Sequence, residues 1–84
     1  MALLNSQNNE TQFNYSISQE HIVIYADSKS EECQFVIADR EGFVHMKGRF
    51  LERKEIHIND LPLKEFELVI FNASNRCSFP IQIG

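Results

Sequence analysis

Apolar and polar residues alternate at every second position through seven separate segments of this chain, and no helical apolar period competes with them. Side chains two apart in an extended strand share one face. Each segment therefore carries one apolar face, which must be covered by a second layer. Phe13, Tyr15 and Ile17 alternate with Asn14, Ser16 and Ser18, and residues 21–26 form a β-branched and aromatic run. Cys33, Phe35 and Ile37 alternate with Gln34, Val36 and Ala38. Residues 43–50 put Val44, Met46, Gly48 and Phe50 in one phase. Ile56 and Ile58 mark a short segment. Phe66, Leu68 and Ile70 alternate with Glu67, Val69 and Phe71, and Cys77, Phe79, Ile81 and Ile83 share the last phase.

Turn chemistry separates these segments. Asp39-Arg40-Glu41-Gly42 has its glycine where a tight turn needs positive φ. Asp60-Leu61-Pro62 is a corner, because Pro62 has no N–H to give a ladder. Asn72 to Arg76 is a second hairpin loop, and the off-phase Pro80 suits an edge strand. The expected fold is all-β, a seven-strand antiparallel immunoglobulin-like β-sandwich, with a small barrel as the alternative. One domain over residues 12–84 follows a flexible N-terminal arm over residues 1–11, and no helix exceeds a single turn. The pattern predicts burial of Phe35, Ile37, Ile56, Ile58, Phe66, Leu68, Ile70, Phe79 and Ile81.

Two stretches resemble a known group of modules: Phe35-Val36-Ile37-Ala38-Asp39-Arg40-Glu41-Gly42, and the run from Ile58-Asn59-Asp60-Leu61-Pro62 to Phe66-Glu67-Leu68-Val69-Ile70. They are similar to the C-terminal sorting domains of type IX secretion and to related small secreted immunoglobulin-like domains of unknown function. Lys64 and Phe66 stand where that motif has Gly and Tyr. The resemblance implies an immunoglobulin-like fold and a stand-alone domain of the envelope or exterior, with a sorting domain as an alternative role.

Eighty-four residues give one core and little room for a deep catalytic cleft. With 43% apolar and 24% charged residues the chain has a globular composition, not that of a disordered one. Eight Lys and Arg against twelve Asp and Glu argue against a nucleic-acid binder, which needs basic excess to displace counterions. No apolar run reaches membrane-spanning length. The leading MALLNSQNNE is too short and polar for a secretory signal. The expected location is the envelope or exterior if a signal has been removed, and otherwise the cytoplasm.

Chemistry-bearing residues are sparse. His21, His45 and His57 fall in three different segments with no short-spaced ligand pair, so no metal is expected. Cys33 and Cys77 follow inward phases, which favours two inert thiols over a disulfide or a nucleophile. No phosphate loop or nucleophile elbow is present. His45, Lys47 and Arg49 share a phase and read as a charge-blunted exposed strand. The chain is therefore expected to be no enzyme and to need no cofactor.

The feature that asks for a partner is apolar. Val36, Ala38, Val69 and Phe71 lie opposite in phase to the core residues of two strands that an immunoglobulin-like order makes neighbours, and Phe43 extends the set. Exposed apolar patches mark partner surfaces, so these five residues are the expected contact with a protein partner or a second copy of the chain. A small acidic inhibitor-like binding protein is the remaining alternative.

Overall fold

The computed structural model describes residues 13–27, 31–62 and 64–83. The expected arm over residues 1–11 lies outside them. Seven strands follow in chain order: β1 Phe13–Ile17, β2 His21–Ala26, β3 Cys33–Asp39, β4 Val44–Phe50, β5 Arg53–His57, β6 Glu65–Phe71 and β7 Arg76–Gln82. The helical structure among the described residues is a three-residue 3-10 turn at Ile58–Asp60. It ends β5 before Ile58, although the alternation continues through that residue.

Every pairing is antiparallel, in a three-stranded sheet β1-β2-β5 and a four-stranded sheet β4-β3-β6-β7. Hairpins join β1 to β2, β3 to β4 and β6 to β7, and the other three connections pass between sheets. The architecture is the expected all-β sandwich. Its core is the meeting of the two apolar faces. Phe13, Ile22, Ile24 and Ile56 come from one sheet, and Phe35, Ile37, Leu68 and Ile70 from the other. Leu68, Ile37, Ile22 and Ile70 are completely enclosed. Of the nine residues predicted to be buried, Phe79 alone is half-buried. It stands on the edge strand β7, with its ring 5.0 Å from that of Tyr15. Pro80 sits on the same edge strand, where no outward ladder bond is missed.

The expected common phase of Val44, Met46, Gly48 and Phe50 fails at one place. Met46 pairs with Ile37, but Val44 pairs with Ala38, so His45 is an inserted residue without a partner across the ladder. This β-bulge turns Val44 to the outer face, where it is 53% exposed, and separates His45 from Lys47 and Arg49. At Gly48 the pairing has a packing reason. A Cβ there would lie 2.9 Å from the Phe35 ring, so a glycine lets that ring fill the core.

Candidate functional site

The outer face of the four-stranded sheet can be read from its registers as four cross-strand rows. The first is Arg49, Gln34, Phe71, Arg76, and the second Lys47, Val36, Val69, Ser78. The third is Val44, Ala38, Glu67, Pro80, and the last holds Glu65 and Gln82. Val36 and Val69 are direct neighbours at the centre. Val36, Ala38 and Phe71 are half-buried and Val69 is only 7% exposed, sheltered by the side chains around it. Val69 thus supports the face more than it offers area. Phe43 lies just beyond β4, 70% exposed, at the end of the hairpin that carries Ala38.

Charge on this face is polarised. Lys47, Arg49 and Arg76 occupy the first two rows, and Glu65 and Glu67 the last two. Arg40 pairs with Glu65 at 3.3 Å where both are well exposed, a contact worth little in water. Ser78 donates its hydroxyl to Glu67. A shallow depression of about 590 Å³ runs along β6 and β7 on this acidic half, between Glu65, Glu67, Ser78 and Pro80.

The second cluster lies at the β3–β4 hairpin. Asp39 continues the inward phase of Cys33, Phe35 and Ile37, which buries a carboxylate. Its Oδ1 accepts the N–H groups of Glu41 and Phe43, both at 3.0 Å. Its Oδ2 meets His45 Nε2 at 2.8 Å and Lys64 Nζ at 3.7 Å. The bulge aims the His45 ring here, edge-on to Phe66 with centroids 5.1 Å apart. The His45 hydrogen bond, opposed by desolvation and aided by the two backbone N–H groups and Lys64, lowers the Asp39 pKa to about 2. An Asp–His pair of this kind orients a base in some hydrolases. Here no hydroxyl or thiol among the described residues is hydrogen-bonded to the imidazole, and the hydrogen bonds of Asp39 tie down its own hairpin while Lys64 fastens that hairpin to the start of β6. The sequence carried one signal for this cluster: an apolar alternation that ends on Asp demands partners for a buried charge.

Both cysteines are free, Cys33 buried and Cys77 half-buried. Burial pushes the Cys33 thiol above its ordinary pKa, with the Asn72 amide opposing, so this sulfur is a poor nucleophile. The three-stranded sheet holds an arrangement that spacing along the chain hides. His21 and His57 are direct partners across β2 and β5, with ring centroids 4.5 Å apart, and Glu55 Oε2 is 3.6 Å from His21 Nε2. Thirty-odd residues separate the two histidines, and the sheet order makes them neighbours.

No family model matches the sequence, and no curated protein sequence does. Among solved structures, the chain is similar to a DUF3244 family protein with an immunoglobulin-like β-sandwich fold from Bacteroides vulgatus ATCC 8482. The superposition has a TM-score of 0.78 at 15% identity and covers 87% of this chain and 85% of that one. At that identity the likeness shows the fold: this is an immunoglobulin-like β-sandwich.

Proposed function

We propose that the domain is a non-catalytic docking module that pairs with a second copy of itself through the outer face of the four-stranded sheet. Val36, Ala38 and Phe71 form the apolar centre of the contact, with the buried Val69 beneath them, and Phe43 lies at its margin. The observation that supports this is the polarity of the face, basic in one pair of rows and acidic in the other. A two-fold axis lying between the faces and perpendicular to the strands reverses one copy against the other. It lays the basic rows of each copy over the acidic rows of its mate, with strand order kept, so that Arg76 on β7 comes beside Glu65 on the adjacent β6 of the mate, in the self-complementary manner of an isologous interface. Four strands of seven residues give a footprint of about 20 by 23 Å. That is small beside the roughly 800 Å² per partner of a standard stable interface, so the pairing is weak and reversible.

Sedimentation velocity over a concentration series tests this. The wild type should associate at low salt and dissociate as salt screens the charges. Arg76→Glu or Glu65→Arg alone should weaken association, and the two together should restore it. A wild type that stays monomeric at high concentration and low salt overturns self-pairing. Envelope or extracellular location belongs to the same proposal. It rests on the motif resemblance and is tested by cell fractionation.

A further inference from the structure

We propose that His21 and His57 form a chelating site for a divalent transition-metal ion on the exposed face of the three-stranded sheet, with Cu2+ the preferred ion. The argument begins with the register. Directly opposed residues on antiparallel strands project side by side from one face, with Cβ atoms about 4.5–5.5 Å apart. His21 and His57 are such a pair, so both rings rise from the same side of the sheet. The backbone beneath them is pinned. His21 N–H donates to Ser18 Oγ at 3.2 Å, and Ile58 N–H donates to the Glu20 carbonyl at 3.0 Å.

The ring spacing is compatible with one ion shared between the two rings. Two imidazole nitrogens, each about 2.0–2.1 Å from one ion, hold their centroids about 4.5 Å apart at a right angle and about 5.2 Å apart at the tetrahedral angle. The observed separation is 4.5 Å. Right-angled nitrogen and oxygen ligation is the preference of Cu2+ and Ni2+, and Cu2+ heads the affinity order for such donors.

Among the described residues no three His, Cys, Asp or Glu side chains already stand as a complete ligand set. The chain therefore contributes two imidazoles first. Glu55, two residues before His57 and 46% exposed, has the freedom to swing its carboxylate onto the ion from its place beside His21, and water fills the rest. The third histidine, His45, is no competitor for a chelated ion, because it stands on the other sheet with no second imidazole beside it. Neutral imidazole is the commonest protein ligand for such ions, and binding weakens as pH falls and the rings take up protons.

Calorimetric titration of untagged protein with Cu2+ in a weakly coordinating buffer at neutral pH decides the matter, together with electron paramagnetic resonance of the loaded sample. The expected result is one saturable equivalent with nitrogen hyperfine splitting. His57→Ala and His21→Ala should each weaken binding by about tenfold or more, Glu55→Gln should weaken it less, and Zn2+ should bind more weakly than Cu2+. His45→Gln should bind as the wild type does. Because His57 is exposed, its alanine variant should keep the wild-type circular dichroism spectrum, and its affinity decides the outcome if His21→Ala fails to fold. Wild-type affinity in His57→Ala, an equal loss in His45→Gln, or no saturation of the wild type by about 1 mM Cu2+ would each overturn the site.

Discussion

The two hairpins of the four-stranded sheet solve one problem with different chemistry. At the β3–β4 turn, Asp39 Oδ1 accepts two backbone N–H groups of its own loop. At the β6–β7 turn, Asn72 Oδ1 accepts those of Ser74 and Asn75, at 2.9 and 2.8 Å. Each side chain imitates a backbone carbonyl and closes the loop it begins. The difference lies in what else it touches. Asp39 is buried and reaches across to His45 and Lys64, whereas Asn72 has only a weak contact with the Cys33 sulfur beyond its loop. A local cap becomes a tertiary fastening when the capping oxygen is charged and enclosed, because the charge then requires partners from other strands.

Removing the two caps should expose that difference. Asp39→Ala should cause the largest loss in the series, several times that of the equivalent change at Asn72, measured as the shift in urea midpoint. It strips two N–H groups of their acceptor and leaves His45 and Lys64 facing an empty site. The acid response carries the sign. The Asp39 pKa is near 2 in the folded chain against 3.8 for a free carboxyl. Its contribution is therefore complete above about pH 4 and is lost as pH falls from there through 2. Stability should fall with acid across that window in the wild type, and much less steeply in Asp39→Asn. Equal slopes in the two proteins would reduce the fastening to an ordinary turn.

The loops differ in backbone as well. Gly42, at φ 93°, returns the chain through Gly42 N–H to the Asp39 carbonyl, and the β6–β7 loop contains no positive φ. Gly42→Ala should cost about 1–2 kcal/mol, because the added Cβ opposes that conformation. Nothing lies within 4 Å of the new atom, so a smaller cost would have to come from backbone rearrangement. At the mild end, Asn72→Ala should cost about 1 kcal/mol with no acid dependence. Thermal denaturation at two pH values separates the pair.

Much of this fold was legible because the strands obey one period. Phe35, Ile37, Leu68 and Ile70 could be placed inward from alternation alone, and the Asp-x-x-Gly turn from its glycine. What escaped was whatever breaks the period or joins distant segments. The bulge at His45 shifts the phase by one residue, so a histidine that alternation groups with Lys47 and Arg49 instead serves Asp39. The 3-10 turn bends the chain at Ile58 while the alternation runs on through it. His21 and His57 meet only because β2 and β5 are adjacent, a fact of topology that spacing does not contain. The opposed rows of charge likewise appear only once four strands are set in register.

The four-stranded sheet also sets the order in which the chain can assemble. Its two central strands, β3 and β6, are drawn from roughly thirty residues apart and pair along nearly their whole lengths. Three hairpins can close locally within microseconds, yet a lone two-stranded hairpin is marginal in water. None becomes durable until β3 finds β6, and that encounter must first overcome the entropy of a long closed loop. Folding should therefore take milliseconds to seconds, slower than a helical bundle of this length. The ladder between those two strands should be the last to release its amide protons to solvent, as hydrogen exchange would show.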